Sequence, residues 1–528
     1  MAVTSTFDSL ANVVAPFGIV QGCVTLVLAV SAWVVLHATY NVYFHPLASC
    51  PGPRLAAATS LYKAYIDVFA KTGFVQALEK LHAQYGSYSQ ETINRSSLTP
   101  PTGNVVRVGP NELHFSNPEV YHEIYNANNR WDKEKNLYHS FGEDRSSFGF
   151  LEYRDAKPRK DILARLFSKK AITEAEGLVV ALCESFRRHT SSPVNLHYAF
   201  RCMSIDVITY LCFGNSVDAL NTPDHEAPII LALDASTPVF PAFKHSSIYK
   251  NMIIHCPPSI SKVISPQTAG LVDLQQVLKK QIDNVTSNPD NLKKLPHSTT
   301  IYHELLKPEL NPGGQVPSAG SLYEESQALM FGGADTTGAT LMHGSFYIMT
   351  KEDVRKKLIA ELRENWEDLD QPLSLAALEK LPYLTAVIKE SLRISPGVAS
   401  PLPRVVPDSG TTIGGRFIPG RTVVEMSSHF VHRNADIFEE PNEFRPERWL
   451  GPDARKLERW LVSFSRGPRS CLGLNLAWAE LYLTFAYVFR EFDVEMDPSS
   501  PKELRWRDCF LPEYLGPHLK ANMTPVAT

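Results

Sequence analysis

Phe464-Ser465-Arg466-Gly467-Pro468-Arg469-Ser470-Cys471-Leu472-Gly473 is the stretch on which the reading of this chain turns. It holds one cysteine between two glycines, and a run with apolar residues at Leu474, Leu481 and Phe485 follows at helical spacing. Glycine has no Cβ, so Gly467 and Gly473 are expected to let the backbone approach a flat ligand, while Pro468 stiffens the loop. Cys471 stands just before the helix, whose unpaired N–H groups and partial positive charge favour a thiolate over a thiol. Arg469 supplies a cation able to pair with a carboxylate on the ligand. The alternative for a lone cysteine is a buried structural thiol. That is the reading for Cys183, Cys202 and Cys212, which lie in apolar helical stretches.

Upstream, Met330-Phe331-Gly332-Gly333-Ala334-Asp335-Thr336-Thr337 lies inside a helix expected over 322–349 and started by a capping box, Ser321 to Glu324. Each glycine costs such a helix up to ~1 kcal/mol, and a threonine hydroxyl can bond a backbone carbonyl and open the ladder. Close helix packing is one explanation; a groove for a small ligand and water, with a proton path beside it, is the other. Glu390 and Arg393 stand three apart, hence on one face of a helix expected from Pro382 to Ile394. Buried charges need partners, and Pro446-Glu447-Arg448-Trp449 offers a second arginine.

Taken in order, these segments resemble the cytochrome P450 family. The cysteine loop matches its F-x-x-G-x-R-x-C-x-G signature at every fixed position. The mid-helix segment is similar to its [AG]-G-x-[DE]-T-[TS] oxygen-activation motif, and Glu390, Arg393 and Arg448 to its E-x-x-R…P-E-R network. The likeness spans nearly the whole chain. Tyr43-Phe44-His45-Pro46-Leu47, the stretch 141–150 and Phe167-Ser168 are similar to microsomal enzymes of filamentous fungi that oxidise secondary metabolites, the trichodiene oxygenase group among them.

The resemblance implies a mainly α fold with a small β-rich part, behind a single N-terminal transmembrane helix. It implies haem b (iron protoporphyrin IX) with Cys471 as the axial iron ligand, and Phe464, Arg469 and Gly473 in the cofactor loop. Arg404, in Pro401-Leu402-Pro403-Arg404, joins Arg469 as a propionate partner. Asp335 and Thr336 become the acid–alcohol pair that delivers protons to bound dioxygen, with Thr337 in support. Glu390, Arg393 and Arg448 become a structural network holding the cysteine loop. One departure stands out: where the family has Trp or His four residues before a propionate-binding arginine, this chain has Ala156 and Lys160. Lys160, or Arg159 beside it, is then a point charge rather than a bidentate donor. Substrate contacts are carried over to 141–150, Met330, Phe331, Val398, Leu402, Phe510 and Leu511.

The reaction so implied inserts one oxygen atom of O2 into a C–H or C=C bond of a lipophilic small molecule, a terpenoid or polyketide-type metabolite. No flavin or nicotinamide fingerprint is present, so electrons would come from NADPH through a separate cytochrome P450 reductase, with cytochrome b5 as a second donor. Arg159, Arg165, Lys169, Lys170 and Arg466 are the expected docking face for it. The competing reading is a haem-thiolate isomerase or dehydratase that needs neither O2 nor a reductase; the intact Asp335-Thr336 pair argues against it.

The remainder of the sequence is consistent with that outline. The 528 residues are 44% hydrophobic and carry a formal net charge of −4, which gives no reason to expect nucleic acid. Eight cysteines without a CxxC pair make a disulfide framework a poor reading. Residues 17–36 are free of charge, long enough to cross a hydrocarbon layer, and followed by Arg54, Lys63 and Lys71. The expected organisation is a lumenal tail at 1–14, a signal anchor at 15–40, a proline-rich hinge at 41–55 and a monomeric catalytic domain at 56–528. The cytosolic face of the endoplasmic reticulum membrane is the expected location. Expected helices cover 172–186, 322–349, 382–394 and 474–489; expected strands cover 105–108, 405–406 with 411–413, and 421–426.

Overall fold

The structure is a computed structural model that describes residues 4–86, 104–174, 176–177, 180, 193–264, 269–297 and 299–526. Cys183 and the end of the helix expected at 172–186 lie outside the described residues. The helices that place the site are α1 (Thr4–Tyr43), α2 (Tyr153–Leu163), α3 (Leu196–Phe213), α4 (Ala319–Thr350), α5 (Pro382–Ile394) and α6 (Leu474–Glu491). Two of these have clear local causes. Pro382 at the first helical position of α5 removes an N–H that would go unpaired, and Gly214 ends α3 in a left-handed conformation, φ +70.

Helix α4 forms the centre of the body and α3 packs along it. Gly333 and Gly338 permit this approach. A Cβ on Gly333 would sit 2.7 Å from Ile208, and one on Gly338 would sit 2.8 Å from Arg201, both on α3. Leu341, Leu384, Ile388, Leu481, Phe485 and Phe489 bring the faces of α4, α5 and α6 into one apolar core. Each such buried side chain contributes ~1.5–3 kcal/mol.

The capping expectation for α4 fails by one turn. Ser318 is the N-cap and accepts from the Ser321 N–H at 3.3 Å, so the helix starts at Ala319. Ser321 and Glu324 are free for other work: Glu324 accepts from the Arg145 backbone N–H at 2.5 Å and Nε at 2.9 Å. The helix is continuous to Thr350; the Thr336 hydroxyl donates to the Gly332 carbonyl at 3.0 Å without breaking the ladder.

Small sheets brace one side of the cavity described below. Strands β1 (Val105–Gly109), β2 (Glu112–Phe115), β3 (Asp132–Lys133), β4 (Arg404–Val405) and β5 (Val423–Glu425) pair in the order β1-β2-β5-β4-β3, with β2 and β5 parallel and the other pairs antiparallel. Strands β6 (Arg505–Cys509) and β7 (Leu511–Leu515) form a hairpin with Phe510 at its tip. Phe510 is left-handed, φ +79, and its N–H donates to Asp508 Oδ1 at 2.9 Å.

Among the described residues one helical stretch is long and apolar enough to cross a membrane, Gln21–Tyr43, about 34 Å at 1.5 Å per residue. The helix runs past both 36 and 40. Its last turn is tied to the body by Asn41, which is buried and donates to the Ala58 carbonyl; past the helix, the Pro51 carbonyl accepts from the Arg107 N–H at 2.7 Å.

Candidate active site

A cavity of about 350 Å³ lies between α4, the loop before α6 and the segment 392–404. Cys471 opens onto it. Its backbone N–H donates to the Phe464 carbonyl at 2.8 Å, closing the loop, and Phe464 and Gly473 share the wall. The two glycines divide the work differently from the sequence expectation. Gly467 has φ +72, and a Cβ there would meet the carbonyls of Tyr125 and Asn126 at 2.8 Å, so it serves loop packing rather than ligand approach. At Gly473 the nearest atom to an added Cβ is Cys471 Sγ at 4.0 Å, so this glycine keeps the space beside the sulfur open. Burial raises the thiol pKa, and the Gly473 N–H and Lys160 only partly oppose it. A metal cation bound to the sulfur would favour the thiolate.

Besides Lys157, which pairs with Asp161, four cations line the same cavity: Lys133, Lys160, Arg404 and Arg469. Lys160 Nζ donates to the carbonyls of Pro468 (3.0 Å) and Ser470 (2.6 Å), tying α2 to the cysteine loop. Arg159 faces elsewhere, in a buried pair with Glu325 at 2.9 Å, and so leaves both the propionate role and the basic docking face. Arg469 donates to the carbonyls of Phe150 (3.1 Å) and Leu151 (2.8 Å), and its Nε has no partner among the described residues. Arg404 donates to Tyr138 Oη at 2.7 Å. Lys133 was missed from the sequence. It stands directly across from Arg404 in the β3–β4 pairing, and its Nζ donates to the Phe148 carbonyl at 2.6 Å.

Like charges opposite one another on paired strands repel. Among the described residues no carboxylate forms an ion pair with any of the four. Burial, followed by Arg469, Arg404 and Lys160, drives the Lys133 pKa well below its usual value; burial and Arg404 bring Arg469 to about 10. A flat dianion bound in this cavity would relieve the repulsion, so the residues fit haem: Lys133, Lys160, Arg404 and Arg469 would hold its propionates.

On α4, Gly332 faces the cavity with nothing within 4 Å of an added Cβ, whereas Gly333 is packed against α3. Gly333 thus serves close helix packing, and Gly332 leaves open space on the cavity side. Asp335 and Thr336 also line the cavity. Asp335 is buried and paired with Arg201, which also pairs with Asp234; His197 Nε2 lies 3.2 Å from Asp234. Burial lifts the Asp335 carboxyl above its usual range even beside Arg201.

Behind the loop, Glu390 accepts from Arg393 Nε (2.9 Å) and Nη2 (2.7 Å), Arg448 Nε (3.0 Å), Trp449 Nε1 (2.8 Å) and the Arg445 N–H (2.9 Å). Arg393 Nη1 donates to the His432 carbonyl at 2.8 Å, and the His432 ring accepts from the Val462 N–H at 2.9 Å. The chain of contacts reaches the start of the cysteine loop. His432 was the link that motif matching left out.

Of the substrate-contact residues, Phe331, Val398, Leu402, Phe510 and Leu511 lie on the cavity wall. Met330 does not: it is fully buried in the helical core, one residue round the helix from Phe331. The rings of Phe141, Phe148 and Phe510 cluster at centroid distances of 4.7–6.0 Å, and Phe240 joins through Phe141 at 5.3 Å.

A helical body with a thiol facing a cavity rimmed by unpaired cations defines a haem-thiolate protein. The Cytochrome P450 family model matches residues 102–514. The chain is 31% identical over 517 residues to the cytochrome P450 monooxygenase flvC of Aspergillus flavus, covering 92% of this chain and 93% of that protein. It is 32% identical over 486 residues to the tryptophan 6-hydroxylase fscE of Fusarium equiseti, covering 90% and 91%. The crystal structure of the cytochrome P450DA heme domain shares the fold, with a TM-score of 0.68 at 13% identity over 90% of this chain and 98% of that one. This chain belongs to the cytochrome P450 family, and it is a haem monooxygenase.

Proposed function

We propose that this chain hydroxylates or epoxidises a lipophilic small molecule, a terpenoid or polyketide-type secondary metabolite, using O2 and electrons that start at NADPH and arrive through a cytochrome P450 reductase, with cytochrome b5 as a second donor. The observation that carries the reading is Thr336 and Asp335 on the wall of the cavity onto which Cys471 opens. Haem, when bound, supplies dioxygen activation, and a thiolate ligand favours O–O cleavage. Thr336 Oγ has its proton on the Gly332 carbonyl, so its lone pairs are free to accept a hydrogen bond from a cavity water. Asp335 can pass a proton to that site once Arg201 shifts its weight to Asp234, its other carboxylate partner. Phe141, Phe148, Phe240 and Phe510 exclude water and orient an apolar substrate.

The apolar helix at Gln21–Tyr43 supports a single-pass anchor, and the positive charges Arg54, Lys63 and Lys71 after it support a catalytic domain on the cytosolic side, with the endoplasmic reticulum as the membrane we propose. Arg165, Lys169, Lys170 and Arg466 remain for reductase docking. Microsomes containing the chain and a reductase test the proposal with labelled dioxygen and a panel of terpenoid and polyketide substrates. Product carrying one label per turnover and requiring NADPH supports it. Product formed without NADPH and without label makes the isomerase or dehydratase reading correct instead.

A further inference from the structure

Three carboxyl groups line the cavity: Glu143, Asp335 and Glu480. Asp335 has Arg201, and Glu480 accepts from the Ser204 hydroxyl at 2.9 Å. Glu143 has neither: it is 97% buried, and among the described residues its carboxyl has no hydrogen-bond or ion-pair partner, with Oε1 shut off from solvent.

The surroundings make this an unfilled requirement rather than slack. Every neighbouring acid has taken the donors at hand. Glu325 holds Arg159, the Ser147 N–H and the Ser147 hydroxyl; Glu324 holds Arg145; Asp144 lies 3.3 Å from His139. The Glu143 backbone is pinned as well. Its carbonyl accepts from the Ser146 N–H at 3.0 Å and the Ser146 hydroxyl at 2.8 Å, and a Cβ at Gly149 would fall 1.8 Å from that oxygen. The backbone that carries the carboxyl is therefore held in place at the cavity wall. The groups that act on it electrostatically are Glu325, Glu324 and Asp144, all of one sign, and these with burial raise its pKa well above the usual range. None of the four cations around Cys471 is among them. A buried polar group without a partner costs on the order of 1–3 kcal/mol, and a ligand that supplies the partner recovers that cost.

We infer that Glu143 is the recognition site for a cationic nitrogen on the substrate, so that the molecule oxidised is a lipophilic amine or ammonium compound whose apolar body lies against Phe141, Phe148, Phe240 and Phe510. Ring faces favour a cation nearby, and the carboxylate supplies the counter-charge. The inference rests on the monooxygenase reading for its cavity, and adds a basic nitrogen to the lipophilic secondary metabolite proposed there.

The test uses purified full-length holoenzyme whose carbon monoxide spectrum already shows thiolate-bound haem, so that loss of haem is seen separately from loss of recognition. Two probes of the same shape are compared by equilibrium dialysis: phenylbutyl-trimethylammonium, which cannot ligate iron, and its neutral carbon isostere with a tert-butyl end. The expected result is binding of the ammonium roughly tenfold or more tighter than the isostere, the equivalent of about 1.4 kcal/mol. Glu143→Gln is expected to abolish that preference and leave isostere binding unchanged. Equal binding of the two probes by the wild type, or a preference that survives Glu143→Gln, overturns the inference. Should Glu143→Gln fail to load haem, the wild-type ratio decides alone.

Discussion

Replacing Glu390 by Gln changes almost no volume, yet the structure predicts that it loosens the cofactor loop. Glu390 accepts five hydrogen bonds on its two oxygens, four of them from side chains of Arg393, Arg448 and Trp449. A glutamine offers one oxygen, and its NH2 would face donors. Both arginines would keep their charge in a buried site: Arg393 is 1% exposed and Arg448 8%. Removing one partner of a buried ionic network costs about 3–5 kcal/mol, a large share of the 5–15 kcal/mol that holds a domain folded. The loss has a path to the cofactor, from Arg393 to the His432 carbonyl and from the His432 ring to the Val462 N–H. The assay is haem per polypeptide after size exclusion, with the melting temperature of the haem-free and haem-bound protein. The expected outcome is a lower melting temperature together with sub-stoichiometric haem. Full haem content with stability within about 1 kcal/mol of wild type would refute the role given to the network.

Two glycines one residue apart should respond in opposite ways. Gly333→Ala is expected to destabilise by ~1–3 kcal/mol through overpacking against Ile208, while Gly332→Ala should stabilise α4 by up to ~1 kcal/mol and weaken ligand binding in the cavity; denaturant unfolding and ligand titration separate them. Glu480 sits in the cavity wall with its pKa raised to about 8 by burial, so the folded state holds a proton that the unfolded chain loses near its ordinary 4.5. Stability from this group falls as pH climbs between those values, by at most about 1.4 kcal/mol per pH unit. Glu480→Gln should flatten that part of the pH–melting curve, and an unchanged slope would count against it. Thr336→Ala should retain haem and fold but divert reducing equivalents to peroxide, read as product formed per NADPH consumed; an unchanged ratio would remove Thr336 from the proton path.

What could be read from the sequence was whatever chemistry writes into a short window. Cys471 with its flanking residues, Asp335 beside Thr336, and Glu390 three residues from Arg393 are local patterns, and the structure brings all of them to one cavity or directly behind it. The helix from Pro382 to Ile394 was legible to the residue because proline marks its first turn and Ser395-Pro396 follows its end. Lys133 could not be found this way. Its place depends on a two-residue strand pairing with Arg404, 271 positions later, and nothing around it in sequence reports that. The α4 start was misread because Ser321 and Glu324 fit a capping box as a pattern, while Ser318 reaches the Ser321 N–H first and Arg145, far upstream, claims Glu324. Gly467 was misassigned for a related reason: a glycine needed for a left-handed turn against Asn126 looks the same in sequence as one that clears space for a ligand. Met330 and Phe331 are neighbours in a helix, and only the packing decides which of the two faces the cavity.

The most direct test of the whole account is the reduced, carbon monoxide-bound difference spectrum of the purified full-length protein beside Cys471→Ala. A strongly red-shifted Soret band in the wild type that vanishes in Cys471→Ala is the predicted result. A protein without haem, or a band that persists when Cys471 is gone, would contradict it.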